Sequence, residues 1–238
     1  MTFLKRVFQF LLISTLSFYA LALETDLYDF TWLDKDKEVY VLQNRKFRKV
    51  NRFYIQGGYG MTTSGSFVDA TAIQARAGYF FSEDYGFELV YSMNSGEENE
   101  AAKSVRSSGA SGGGTVPFRR IVDNYYGAMF MWSPFYSKIN SFNKIIYVDF
   151  LFGLGLATIT ETNNREQFVS DNPFADETQE THTGIMWNVG AKFFVNTSWS
   201  IRLDLNAIHY EALQARKLNP EDYIYSNYDL VASLVYDL

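Results

Sequence analysis

The last dozen residues constrain this chain most, because from Asn227 to Leu238 they alternate strictly. Tyr228, Leu230, Ala232, Leu234, Tyr236 and Leu238 form one set, and Asn227, Asp229, Val231, Ser233, Val235 and Asp237 form the other. In a strand the two sets point to opposite faces. One face is then wholly apolar with a Tyr near each end, and the other carries two carboxylates, an amide and a hydroxyl. That pattern implies a lipid-facing wall backed by a wet one. An apolar edge strand left open invites aggregation, so the expected cover is the first strand of the same sheet, closing a barrel.

Eight such segments follow one another from Arg52. Their apolar sets include Phe53, Ile55, Tyr59 and Met61 in the first, Ile73, Ala75, Ala77 and Tyr79 in the second, and Phe87, Leu89, Tyr91 and Met93 in the third. Tyr126, Ala128, Phe130 and Trp132 mark the fourth; the fifth runs from Ile146 to Leu156. Ile185 to Val195, Trp199 to Ala207 and the terminal stretch supply the remainder. Each is about 10 to 15 residues long, the length that a tilted membrane strand needs. The expected fold is an all-β, eight-stranded antiparallel up-and-down transmembrane barrel over residues 52–238.

The connections alternate in length. Ser82 to Asp84, Ser133 to Lys144 and Asn196 to Ser198 are the shorter set; Gly96 to Arg120, Thr160 to Thr183 and Glu211 to Ile224 are the longer. Bacterial barrels keep turns short on the periplasmic side and loops long outside, so both ends of the barrel chain are expected in the periplasm. The Gly96 to Arg120 loop is rich in Gly and Ser. The Thr160 to Thr183 loop is acidic but lacks the Asp-x-Asp-x-Asp-Gly calcium pattern, so it predicts a solvated, self-repelling loop rather than a metal site.

Residues 1–22 have the form of a secretory signal. Lys5 and Arg6 precede the apolar run Val7 to Phe18, and Ala20-Leu21-Ala22 supplies the small-x-small cleavage site. Residues 23–51 read as a periplasmic N-terminal extension ending in the basic run Arg45, Lys46, Arg48, Lys49 and Arg52. Two readings of that run stay open: contact with inner-leaflet phosphates or acidic groups at the barrel mouth, or a solvated lead-in to the first strand. Loss of Lys5 and Arg6 on cleavage would take the formal charge from -6 to -8, a balance that argues against nucleic acid as a partner. There is no Cys, which removes disulfides, thiol catalysis and thiolate metal sites. Aromatics are 18% of the chain, which fits interfacial girdles.

The inward sets carry Arg52, Arg76, Lys192 and Arg202 against Glu88, Asp149 and Asp204. A barrel of eight strands has an interior only wide enough for side chains. These seven groups are therefore expected to pair into a lumen charge network that plugs the bore. A narrow channel is the alternative. A lipid-modifying enzyme is the third reading, and it needs a base from His182 or His209. His209 lies in His209-Tyr210-Glu211, loosely similar to the His-x-Ser of lipid A deacylase barrels, but Glu211 stands where the nucleophile would. His182 has no Ser arrangement in sequence. No catalytic residue, cofactor or metal ligand is assigned.

The stretch from Asp36 to Lys49, the glycines of Gln56-Gly57-Gly58-Tyr59-Gly60, the turn Trp132-Ser133-Pro134-Phe135-Tyr136-Ser137-Lys138 and the strand from Asp149 to Gly155 together resemble an outer-membrane β-barrel domain family of Bdellovibrio-like and myxobacterial bacteria. The resemblance covers most of the mature chain. It implies fold and outer-membrane location, with some related barrels tied to surface and gliding-motility assemblies. The ending Tyr236-Asp237-Leu238 also looks like the C-terminal assembly signal read by the barrel-assembly machinery, with Tyr236 and Leu238 as its apolar positions; such signals usually end in Phe. The partners expected are outer-membrane lipid and lipopolysaccharide, the assembly machinery and cell-envelope proteins. The expected role of this monomeric or weakly associated barrel is structural or interactive, with no peptidoglycan-binding domain appended after the last strand.

Overall fold

The computed structural model describes residues 45–63, 65, 67–107, 117–141, 144–170, 175–215 and 220–238. The signal segment 1–22 and the first part of the extension lie outside them. The strands are β1 (Arg52–Thr63), β2 (Val68–Phe80), β3 (Tyr85–Glu98), β4 (Arg120–Ser141), β5 (Lys144–Asn163), β6 (Thr178–Phe194), β7 (Trp199–Leu213) and β8 (Asp222–Asp237). Every sequential pair is antiparallel, and β1 pairs with β8, so the sheet closes on itself. Two short helices stand in the long loops, α1 (Glu100–Ser107) after β3 and α2 (Arg165–Ser170) after β5.

Closure is what allows the terminal strand to be apolar on one side without an open edge. Ile55 faces Tyr236, Gly57 faces Leu234 and Met61 faces Leu230 across the β1–β8 seam. The Leu238 amide donates to the Phe53 carbonyl at 2.9 Å. The burial pattern is the inverse of a soluble protein's. Ile73, Leu89 and Leu154 are 64%, 62% and 62% exposed, while Glu88 and Arg202 are 1% exposed. A lipocalin-like binder would place these sets the other way round. From Phe53 to Met61 the outward row rises about 3.4 Å per residue, which at a tilt of about 40° makes a belt of roughly 20 Å, near the ~25 Å apolar band of such barrels. No described helix is long and apolar enough to cross a membrane.

Strand ends depart from the sequence expectation in one informative place. Of the connection expected from Ser133 to Lys144, Phe135 to Ser141 is instead ladder: Phe135 pairs with Phe150, Tyr136 with Asp149 and Ile139 with Ile146. The register slips between Trp132 and Phe135, a bulge that holds Pro134 just past the last β3–β4 pair, Tyr85 with Trp132. There Pro costs no ladder bond. The Ser133 amide still finds a partner, the Asp84 carbonyl at 2.7 Å. Beyond this point β4 and β5 continue as a two-stranded ribbon at the end of the barrel that carries the short turns.

Glycines on the inner face make room for polar groups. A Cβ at Gly78 would stand 2.2 Å from Tyr54 Cζ, and one at Gly190 would stand 2.5 Å from Asp204 Oδ1. An absent side chain thus stands beside a large or charged one at these two places, which lets a narrow bore hold Tyr54 and Asp204.

Candidate functional site

The bore is organised around Glu88 on β3. Arg76 Nη1 donates to Glu88 Oε1 at 2.7 Å, and Arg202 Nη1 donates to Glu88 Oε2 at 2.5 Å. The Tyr54 hydroxyl also donates to Oε2. Arg202 reaches Asp204 through Nε and Nη2 at 2.8 Å each, and Arg76 Nη1 lies 3.9 Å from Asp204 Oδ1. Neutral groups complete the layer: Gln56 Nε2 donates to Asp204 Oδ2 at 3.0 Å, and Asn188 Nδ2 donates to Asp204 Oδ1 at 2.9 Å. Two guanidiniums and two carboxylates balance in charge, with their donors and acceptors largely met within the layer.

A second polar layer sits nearer the long loops. Asp229 accepts from Gln74 Nε2 at 3.0 Å, from Asn227 Nδ2 at 2.8 Å and from the Tyr125 hydroxyl. Gln74 joins the layers, since its Oε1 accepts from Arg76 Nη2 at 2.8 Å. Asp229 was legible in sequence as inward but not as a member of the network, because neutral donors rather than a cation hold it.

Of the seven lumen residues expected, Arg76, Glu88, Arg202 and Asp204 come together. Lys192 and Asp149 are buried but take other partners. Lys192 Nζ donates to Asp237 Oδ1 at 2.6 Å, and Asp149 Oδ2 lies 2.6 Å from Lys49 Nζ. Arg52 departs from the expectation outright: it is exposed, at the first position of β1. The reason is Asn51, whose φ of 56° turns the chain and carries residues 45–50 across the mouth at the turn end; Asn tolerates that left-handed conformation better than most residues.

That crossing alternates. Phe47 and Lys49 are buried, and Lys46, Arg48 and Val50 are exposed. The Phe47 ring stacks on Phe194 at 4.7 Å and meets Tyr147 edge-on at 5.2 Å. Arg45 Nη2 donates to Asp84 Oδ1 at 2.8 Å, and Lys49 Nζ donates to Ser133 Oγ at 2.5 Å. Burial pushes the Lys49 ammonium below its ordinary range, more than Asp149 raises it. Within the basic run, then, Arg45 and Lys49 take the acidic groups at the mouth. Sequence alone did not separate them from their neighbours.

The opposite mouth is cross-braced. Arg119 pairs with both Glu98 and Glu177, tying the loop after β3 to the loop after β5. Arg120 pairs with Glu161 and lies 4.3 Å over the Tyr225 ring. Glu161, Glu180 and His182 bring ligand atoms within 4.8 Å of one another. Both Glu161 oxygens are engaged, however, Oε1 by Arg120 and Oε2 by the Tyr210 hydroxyl at 2.6 Å. The guanidinium already supplies the positive charge that a cation would bring.

His209 gains a partner that spacing did not reveal. Its Nδ1 lies 2.7 Å from Ser226 Oγ on β8, and its Nε2 accepts from Trp187 Nε1 at 2.9 Å. Indole N–H can only donate, so the neutral ring must carry its proton on Nδ1 and present N–H to Ser226. A base poised to activate that serine would need a lone pair there. The pair has the atoms of a catalytic dyad with the tautomer reversed.

The family model for the outer membrane protein beta-barrel domain matches residues 42–237. A search of curated proteins finds no match. Among solved structures, Neisserial surface protein A is 13% identical, with a TM-score of 0.50, covering 77% of this chain and 96% of that one. OprG from Pseudomonas aeruginosa is 12% identical with a TM-score of 0.48, covering 81% and 98%. The N-terminal barrel domain of OprF from the same organism is 12% identical with a TM-score of 0.46, covering 79% and 98%. At 13% identity the likeness to Neisserial surface protein A is one of fold.

Proposed function

The chain belongs to the outer membrane protein beta-barrel domain family, and from that premise we propose that it is a closed-bore barrel with a structural or surface-interaction role. The observation that carries this reading is the layer Arg76–Glu88–Arg202–Asp204, which pairs charge from β2, β3 and β7 across the lumen. Moving an ion through it would require breaking buried ion pairs, whose separation leaves uncompensated charge at a cost of about 3–5 kcal/mol. The barrel serves as a rigid mount, and its working surfaces are the two mouths.

The short turns and both ends of the barrel chain face the periplasm in this reading, and the braced, acidic loops face outward, where lipopolysaccharide and envelope proteins are the partners offered. Residues 1–22 are the export signal, 23–51 the periplasmic lead-in and 52–238 the barrel. Tyr236 and Leu238 are the positions offered to the assembly machinery. The affinity with barrels of Bdellovibrio-like and myxobacterial bacteria belongs to the same proposal. Catalysis is not part of it, since the His209 tautomer opposes general-base use of the ring and His182 faces carboxylates.

Planar bilayers containing the purified protein should show no steady openings under voltage. Sustained openings of regular amplitude would replace this reading with the narrow channel. Protease added to intact cells should cut the long loops and spare the short turns; cleavage confined to the turns would reverse the orientation.

A further inference from the structure

We infer that the turn end carries a docking site for the phosphate of an anionic phospholipid, built from Lys46, Arg48 and Arg52. The acids of this end are already taken: Asp84 and Glu83 by Arg45, Asp149 by Lys49, and Asp237 by Lys192. Among the described side chains of this end, those left over are positive. Lys46, Arg48, Arg52, Lys138 and Lys144 are exposed, and among the described residues no side-chain carboxylate pairs with any of them. The other mouth is the reverse, with Asp69, Glu97, Asp176, Glu211, Glu221 and Asp222 exposed. A chain of formal charge -6 thus concentrates its surplus cations at one end.

Lys46, Arg48 and Arg52, with Phe47, Lys49, Phe194, Thr197 and Asp237, line a shallow cleft of about 30 Å³. The Lys46 ammonium also lies 5.3 Å over the Phe47 and Tyr147 rings. About 10–15 Å³ of cleft space holds one water-sized group, so the cleft seats an oxygen or two of a tetrahedral anion at its mouth. Its one side-chain carboxylate, Asp237, accepts from Lys192 at Oδ1 and, at 3.4 Å, from Ser200 at Oδ2. The alternation that buries Phe47 and Lys49 aims Arg48 and its neighbours the other way, so anchoring the segment also presents the cations.

The position selects lipid as the source of the phosphate. Arg52 is followed by Phe53, 59% exposed on the outward wall, whose ring lies 4.5 Å from Tyr79. Trp199 and Tyr236 continue this girdle at 4.8 Å. Aromatic rings of this kind sit at headgroup level, which puts the cleft at the depth of lipid phosphates. Basic residues near an anionic surface gain about fivefold in binding per charge. Identifying this leaflet as the periplasmic one rests on the orientation proposed above; the site does not.

The test is electron paramagnetic resonance of spin-labelled lipids with the full-length protein in phosphatidylcholine vesicles. Spin-labelled phosphatidylglycerol should be retained at the protein several-fold over spin-labelled phosphatidylcholine. The exposed triple variant Lys46→Gln, Arg48→Gln, Arg52→Gln should bring that ratio to near one, with folding checked by the gel shift between heated and unheated samples. Should the variant not fold, raising the salt on the unmodified protein must collapse the preference, because screening shortens the reach of exposed charges. No preference in the unmodified protein, a preference that survives the triple variant, or one that salt leaves intact overturns the proposal. Loss of the preference to excess inorganic phosphate at matched ionic strength overturns lipid as the occupant. Both leaflets of these vesicles are alike, so a reversed orientation leaves the result unchanged and is caught by the protease experiment alone.

Discussion

Arg202 on β7 reaches Glu88 on β3 at 2.5 Å, and these strands stand opposite each other in the closed ring of eight. The bond therefore crosses the bore. Since Arg76 holds the other Glu88 oxygen at 2.7 Å, one carboxylate ties three walls of the barrel together.

Replacing Glu88 with Gln should leave two buried guanidiniums without their shared counter-charge. Unfolding by urea in lipid vesicles should show a loss of about 3–5 kcal/mol. A loss below about 1 kcal/mol would mean that water, not Glu88, carries these cations. Gly78→Ala should act on the same centre by pushing the Tyr54 ring, which a new Cβ would meet at 2.2 Å, off Glu88.

Deleting Tyr236 to Leu238 removes the ring that packs on Trp199, the carboxylate that holds Lys192 and the amide that closes onto Phe53. Cells making this variant should show less barrel in the outer membrane and no heat-dependent gel shift. A normal shift at normal abundance would mean that the seam above Leu234 suffices for assembly.

The ring of His209 should be protonated on Nδ1 and bare on Nε2, because Trp187 donates to the latter. Nitrogen-15 shifts of the labelled imidazole report this directly. Lipopolysaccharide incubated with the protein should keep its acylation, and Ser226→Ala should change nothing in that assay. Deacylation that Ser226→Ala abolishes would establish the enzyme reading.

Lys49 links stability to pH. Burial lowers its folded value below the ordinary 10.5, so between the two the unfolded chain binds more protons and stability rises with pH. The urea midpoint should climb as pH approaches 10.5, and Lys49→Met should flatten that slope. An unchanged slope in the variant would mean that Lys49 is hydrated in the mouth.

By itself the sequence determined the architecture, because period-2 alternation over eight segments leaves one arrangement that hides the carboxylates, satisfies the backbone in lipid and leaves no edge. Inwardness of Arg76, Glu88, Arg202 and Asp204 was legible for the same reason: parity along a strand is local. Pairing was not. Which cation meets which carboxylate depends on register across the ring, and neither Asp149 with Lys49 nor His209 with Ser226 is encoded in any spacing along the chain. Arg52 was misplaced because parity says nothing about where the wall ends; the turn at Asn51 decides that. Of the basic run, Lys49 is buried, Arg45 half-buried and the other three exposed, because a segment crossing a mouth has an inside and an outside, and only the closed barrel supplies the mouth.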